Sequence, residues 1–170
     1  MPTFPLANVL KSIAYRERIW LSWWISLLFF ILIGFLSTVL AVQSTSGIFV
    51  GSRPASNELL LGFDLFFIFL YLIFSRLEIT IDSNRVQVTY GIISKKIPVR
   101  EITSCVTTTA GFWVYGGVGI RLGSDGSLAF TTSFGNGVKI TRKNGRPFVF
   151  STKKPEEVAK VINTLVKQLS

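Results

Sequence analysis

The stretch YGGVGIRLGSDGSLAFTTSFGNGVKI, residues 115–140, carries seven glycines. Glycine-rich segments of this kind either cradle a phosphate or turn the corners of a small sheet, and the two readings lead to different folds. A dinucleotide fingerprint built on Gly117 and Gly119 requires glycine at position 122, which is Leu122; built on Gly135 and Gly137 it requires one at 140, which is Ile140. No Gly-Lys pair occurs in the chain, so the phosphate loop of nucleoside triphosphatases is excluded as well. Phosphate loops also open a helix, whereas these glycines separate short alternating segments. They are corners. Ser124, Asp125 and Gly126 read as a hairpin turn, Gly135–Gly137 as a second, and Asn144-Gly145 as the strongest short hairpin signal. Gly116, Gly117 and Gly119 suit a bulge or a close strand crossing.

Outward from this stretch the period stays at two. LEITID (77–82) and RVQVTY (85–90) alternate apolar with polar residues around a Ser83-Asn84 turn, and further alternating segments lie at 93–107, 118–122, 128–132, 138–141 and 148–151. Seven short strands are expected. The chain then closes with PEEVAKVINTLVKQLS, in which Val158, Val161, Ile162, Leu165 and Leu169 mark one helical face. Pro155 suits the first helical position, Glu156 and Glu157 the positive end of the helix dipole, and Lys167 the negative end. The apolar stripe of this helix must be buried on the sheet.

The segments YGGVGIR, GNGVKI and FVFSTKKPEEV resemble the bacterial and archaeal pleckstrin-homology-like (PH-like) domains that follow a pair of transmembrane helices, over roughly residues 77–169. The resemblance implies a partly open barrel of seven strands, one end closed by a C-terminal helix. Phosphoinositide-binding relatives gather basic residues on a longer loop between the first two strands and carry a tryptophan in the helix. Here IDSNRV is tight and supplies only Arg85, and residues 155–170 have no tryptophan, which argues against headgroup recognition of that type.

Toward the N-terminus the composition changes. WLSWWISLLFFILIGFLSTVLAV (20–42) runs 23 residues without a charge, and LLLGFDLFFIFLYLIFS (59–75) runs 17 residues with one. As helices they measure about 34 and 25 Å, against a hydrocarbon core of about 30 Å, and are read as transmembrane, Arg76 snorkelling to the surface. The small residues Val39 and Ala41 resemble a signal-cleavage site, but the run is far longer than a signal peptide's apolar core, so an uncleaved anchor is expected. Lys11, Arg16 and Arg18 precede the first run, Arg53 alone lies in the 43–58 connection, and Arg76, Arg85, Lys95 and Lys96 follow the second. The positive-inside rule then places both termini in the cytoplasm and the protein, multi-pass, in the inner membrane. Trp20, Trp23, Trp24 and Tyr71 fit an aromatic belt at that interface. Residues 1–18 form a separate N-terminal segment, because Leu6, Val9, Leu10 and Ile13 recur at helical spacing with Lys11, Arg16 and Arg18 off the stripe. Either an amphipathic helix in the headgroup layer or a frayed extension accounts for it. The domains expected are therefore 1–18, a helical hairpin over 19–76 and a PH-like domain over 77–170, an α+β fold that is mainly β.

The chemistry available is restricted. The chain has no histidine, which excludes Ser-His and Cys-His nucleophiles and histidine-containing zinc sites. The lone Cys105 can form no intrachain disulfide, and no carboxylate pair stands out for acid–base work. No catalytic, cofactor or metal site is expected. Charge is more informative: from residue 76 onward 14 Lys and Arg stand against 6 Asp and Glu. Beneath an anionic leaflet each basic side chain near the surface contributes about 1 kcal/mol of attraction. The candidate anionic-surface contacts are Lys95, Lys96, Arg100, Arg142, Lys143 and Arg146. Nucleic acid is not expected, since the basic residues are dispersed and the chain is tethered. Asp64 is the one ionisable group inside an apolar run, about level with Ser37 and Thr38 in an antiparallel hairpin, so a hydrogen-bonded helix contact is expected. Together these point to a membrane-anchored binding or scaffolding module that contacts lipid, a protein partner or a second copy. The alternative is an accessory subunit of a larger membrane enzyme or transporter.

Overall fold

The computed structural model describes residues 13–47, 51, 54–110 and 117–169. Their contacts divide into two compact units, one of residues 21–75 and one that unites 13–20 with 76–169.

The first unit is a pair of antiparallel helices, α1 (Trp23–Ser46) and α2 (Asn57–Phe74). Both are long and apolar enough to cross a membrane, and almost none of either is covered inside the chain, unlike a soluble core helix. Gly47, at φ 64°, ends α1 in the left-handed conformation, and the Ser56 hydroxyl caps α2 by accepting from the Leu59 amide at 3.3 Å. At the other end the Leu21 amide donates to the Ser75 carbonyl at 2.7 Å, and Tyr71 packs between Phe29 and Phe30.

Among the described residues the second unit holds nine strands in two sheets. Strands β1 (Ile13–Trp20), β2 (Arg76–Asp82), β3 (Arg85–Tyr90) and β4 (Ile93–Pro98) form an antiparallel sheet in that order. The other sheet contains β5 (Ile102–Ala110), β6 (Gly119–Leu122), β7 (Leu128–Thr131), β8 (Gly135–Arg142) and β9 (Phe148–Ser151), in the order β5-β8-β9-β7-β6, with β7 and β9 parallel. Helix α3 (Pro155–Leu169) follows. The sheets are separate rather than closed into a barrel.

Two differences from the sequence reading raise the strand number from seven to nine. The expected strand over 93–107 breaks at a 3-10 turn, Val99–Glu101, because Pro98 cannot donate to a ladder and passes the chain from one sheet to the other. Residues 13–20, of which 13–18 are read from sequence as part of either an amphipathic helix or a frayed extension, are strand β1 paired along β2. The Leu6 to Leu10 part of that stripe lies outside the described residues. A period of two is present in AYRERIW, where Ile19 is buried, Tyr15 and Glu17 half-buried, and Arg16, Arg18 and Trp20 exposed. Glutamate at an inward position disguised it.

The core lies between the sheets. Leu77, Ile79, Ile81, Val86, Val88, Tyr90 and Ile97 face Phe130, Val138, Ile140, Phe148 and Phe150, all buried, with the Tyr90 and Phe130 rings 6.4 Å apart. Valine and isoleucine dominate because β-branched side chains fit a pleated, half-buried surface. Helix α3 buries Val158, Ala159 and Ile162 and packs chiefly on β5. β5 is an edge strand, and Asn163 of α3 occupies its unpaired side: it accepts from the Cys105 amide at 2.9 Å and donates to the Cys105 carbonyl at 2.7 Å.

The Ser124-Asp125-Gly126 turn joins β6 to β7 as expected, with Gly126 at φ 74° and the Gly123 amide donating to the Ser127 carbonyl at 2.7 Å. Gly135–Gly137 is different: it begins β8 instead of forming a turn. A Cβ at Gly137 would lie 2.8 Å from the Phe150 carbonyl oxygen, so this glycine permits β8 and β9 to approach.

Asp125 locks its turn by accepting from Lys139 Nζ at 2.7 Å and from the Ser127 hydroxyl and amide, which hold its carboxyl down to about 2. A depressed carboxylate stabilises the fold above its unfolded value and loses that contribution as pH falls through the folded one. With the Asp125 side chain 35% exposed, the contribution is about 1 kcal/mol after solvent screening. The full-length protein in detergent is expected to lose that amount between about pH 4 and pH 2, and Asp125→Asn to remove this part of the pH dependence while leaving the rest. Thermal midpoints measured against pH check it.

Candidate functional site

The registers place side chains in rows across each sheet. In the first sheet one inner row reads Glu17, Ile79, Val88, Lys95. A charge therefore faces inward at each edge strand, a pattern that discourages further strand pairing. The two charges are treated differently. Glu17 accepts from the Tyr15 hydroxyl at 2.9 Å, the Thr152 hydroxyl at 2.6 Å and the Lys153 amide at 3.0 Å. Lys95 has no hydrogen-bond or ion-pair partner among the described residues.

In the second sheet the row Cys105, Ile140, Phe148, Leu128, Leu122 crosses all five strands. Its last three members meet Lys95, Arg142 and Arg146 around a hollow of about 220 Å³. Arg142 ends β8 and is paired through Nη2 with Glu101 at 2.7 Å, while its buried Nε lacks a partner among the described residues. Its guanidinium lies under the Asn144-Gly145 turn, where a Cβ on Gly145 would come 3.2 Å from Nη1. With Gly145 at φ 98°, glycine is favoured there by its backbone conformation, and an added Cβ would also press on the Arg142 side chain. Arg146, just beyond this turn, has no partner among the described residues. The hollow thus combines two unpaired cations and one half-neutralised cation with an apolar floor.

Three of the six sequence-derived cations meet in this hollow. Arg100 and Lys143 line a second depression of about 410 Å³, with Val99, Ile102, Thr103, Val166 and Leu169. Lys96 is exposed and paired in register with Gln87, its neighbour Lys95 facing the other side of β4. In the helical unit Ser37 Oγ donates to Asp64 Oδ2 at 2.7 Å, whereas Thr38 turns back to the Gly34 carbonyl and does not reach Asp64. Asp64 Oδ1 and Gln43 Oε1 are buried without partners among the described residues.

Sequence reading named neither Glu17 nor Asn163, nor the apolar floor. Glu17 left one signal, a carboxylate in register with inward-facing Tyr15 and Ile19. Among the described residues no cluster of three metal-ligating side chains occurs. Cys105 is buried, and burial pushes its thiol up to about 12, far from a reactive thiolate. Comparison with protein-family models and with curated proteins gives no match for this chain.

Proposed function

We propose that this chain is a membrane-anchored binding module rather than an enzyme. Helices α1 and α2 form its anchor, and the strand-rich unit is a PH-like domain on the cytoplasmic face of the inner membrane, with both termini on that side. The distribution of Lys and Arg supports the orientation; two sheets sharing one core, followed by a helix laid on β5, support the PH-like reading. The hollow at Lys95, Arg142 and Arg146 receives an anionic group with apolar substance beside it, the chemistry of an anionic phospholipid. One observation carries this: Lys95 and Arg146, which have no ion-pair partner among the described residues, line one hollow with Leu122, Leu128 and Phe148.

The full-length protein in neutral detergent is expected to retain phosphatidylglycerol over phosphatidylcholine in native mass spectrometry. A Lys95→Gln/Arg146→Gln variant is expected to retain it about tenfold less, since two charge-assisted contacts are lost. Equal retention by variant and wild type would remove the hollow from the reading.

The unpartnered Asp64 Oδ1 and Gln43 Oε1 favour a second reading, an accessory subunit whose helices dock on a larger membrane protein. A stoichiometric partner that co-purifies in mild detergent and is lost on Asp64→Leu would establish it.

A further inference from the structure

The first sheet has one polar and one apolar end. At the polar end lie Asp82, Ser83, Asn84 and Arg85, with Asp82 Oδ1 accepting from the amides of Asn84 and Arg85. At the other end Trp20 pairs with Arg76, Leu77 with Tyr90 and Tyr90 with Ile93. There Trp20 is 64%, Ile92 77% and Ile93 43% exposed. Ile92 is the anomaly. It occupies the second position of a two-residue hairpin turn whose first, Gly91, alone takes the positive φ (63°), so backbone geometry makes no demand on residue 92, and a large apolar side chain is nevertheless held out at the tip.

Chain connectivity explains the apolar end. β2 begins at Arg76, one residue after Ser75 and two after Phe74, the last residue of α2. β3 is antiparallel to β2, so it runs back toward that junction, and the Gly91 amide reaches the Arg76 carbonyl at 3.4 Å. As an 18-residue helix α2 is about 27 Å long, slightly short of a hydrocarbon core of about 30 Å. If α2 spans, a helix of that length ends close to the hydrocarbon boundary, which would bring the residues after it to the headgroup layer.

We infer that the β3–β4 hairpin tip, Ile92 with Ile93 beside it, is a membrane-interface anchor that dips into the headgroup layer next to Trp20. This rests on the reading of α1 and α2 as membrane spans and is independent of what the hollow binds.

The test uses full-length protein reconstituted in phosphatidylcholine vesicles containing doxyl-labelled lipid, with an environment-sensitive fluorophore on a single introduced cysteine. Cys105, 2% exposed, stays unlabelled. Three sites are compared: Ile92→Cys, Asn84→Cys at the polar end of the same sheet, and Phe35→Cys in mid-α1. Labels at 35 and 92 are expected to lose at least half their emission to the quencher, with the shallow-doxyl lipid more effective at 92, and the label at 84 to lose little. Quenching at 35 with none at 92 would overturn the tip anchor alone. No quenching at either would overturn the spans and the anchor together. A blue-shifted but unquenched label at 92 would mean that protein covers the tip, which also overturns the proposal.

Discussion

An Asn163→Leu variant is expected to lose about 3 kcal/mol of stability, because the change strands the amide and carbonyl of Cys105 beneath a helix and each such group costs roughly 1–3 kcal/mol. Both groups are now satisfied by one side-chain amide. Asparagine is a poor helix former, and its place in the middle of α3, beside buried Ile162, has no local rationale. Its role is to close the free edge of β5. Leucine would retain the packing and remove the two bonds. Hydrogen exchange of the full-length protein is expected to show protection over residues 102–110 falling roughly 100-fold, since each 1.4 kcal/mol is a factor of ten. Thr164→Ala, which removes only a bond to the Lys160 carbonyl of the same helix, is expected to change stability by less than about 0.5 kcal/mol. Equal effects of the two variants would show that α3 is held by its apolar stripe alone.

Glu17→Ala is expected to cost a similar amount, about 3 kcal/mol, because a half-buried carboxylate that accepts three hydrogen bonds is removed and bonds to charged groups contribute about 1.5–3 kcal/mol each before the donors find water. The loss should be local. Glu17 joins β1 to Thr152 and Lys153, just ahead of α3, and Thr152 in turn accepts from the Lys154 amide. Exchange protection is expected to fall first over residues 13–20 and 152–158 and to persist in β8 and β9. Burial first, and then the bond to Glu17, push the Tyr15 hydroxyl well above its ordinary range. A raised phenol stabilises the fold below its unfolded value, near 10, and loses that contribution as pH climbs toward the folded one. The variant should therefore unfold less steeply with pH above about 10 than the wild type. A uniform loss of protection over all nine strands would show instead that β1 is part of the global folding unit.

Much of this architecture was legible without coordinates. Two charge-poor runs, a period of two from Leu77 onward and the Val158, Ile162 stripe each depend on residues within one turn or one strand, and local spacing reports local structure. Gly126 and Gly145 mark their turns because only a left-handed backbone closes them. The readings that failed depend on distant residues. β1 could not be identified from its own spacing, since Glu17 faces inward only because Thr152 and Lys153, more than 130 residues away, are there to donate to it. Gly135–Gly137 resembled a corner because the carbonyl of Phe150 that makes Gly137 necessary belongs to another strand.

The candidate site divides in the same way. Its cations were evident as residue types, but strand alternation and register put Lys95 in the hollow and Lys96 outside it, and placed Arg100 and Lys143 around a different depression. Sequence by itself determined which segments are apolar enough to span, which alternate and where the chain must turn, because those properties are written in neighbouring side chains. Only the tertiary structure decided that the chain passes from one sheet to the other at Pro98, that a strand preceding the helices completes the first sheet, and which charges meet. Those outcomes follow from pairing between segments far apart in the chain, where burial and hydrogen-bond satisfaction outweigh local preference.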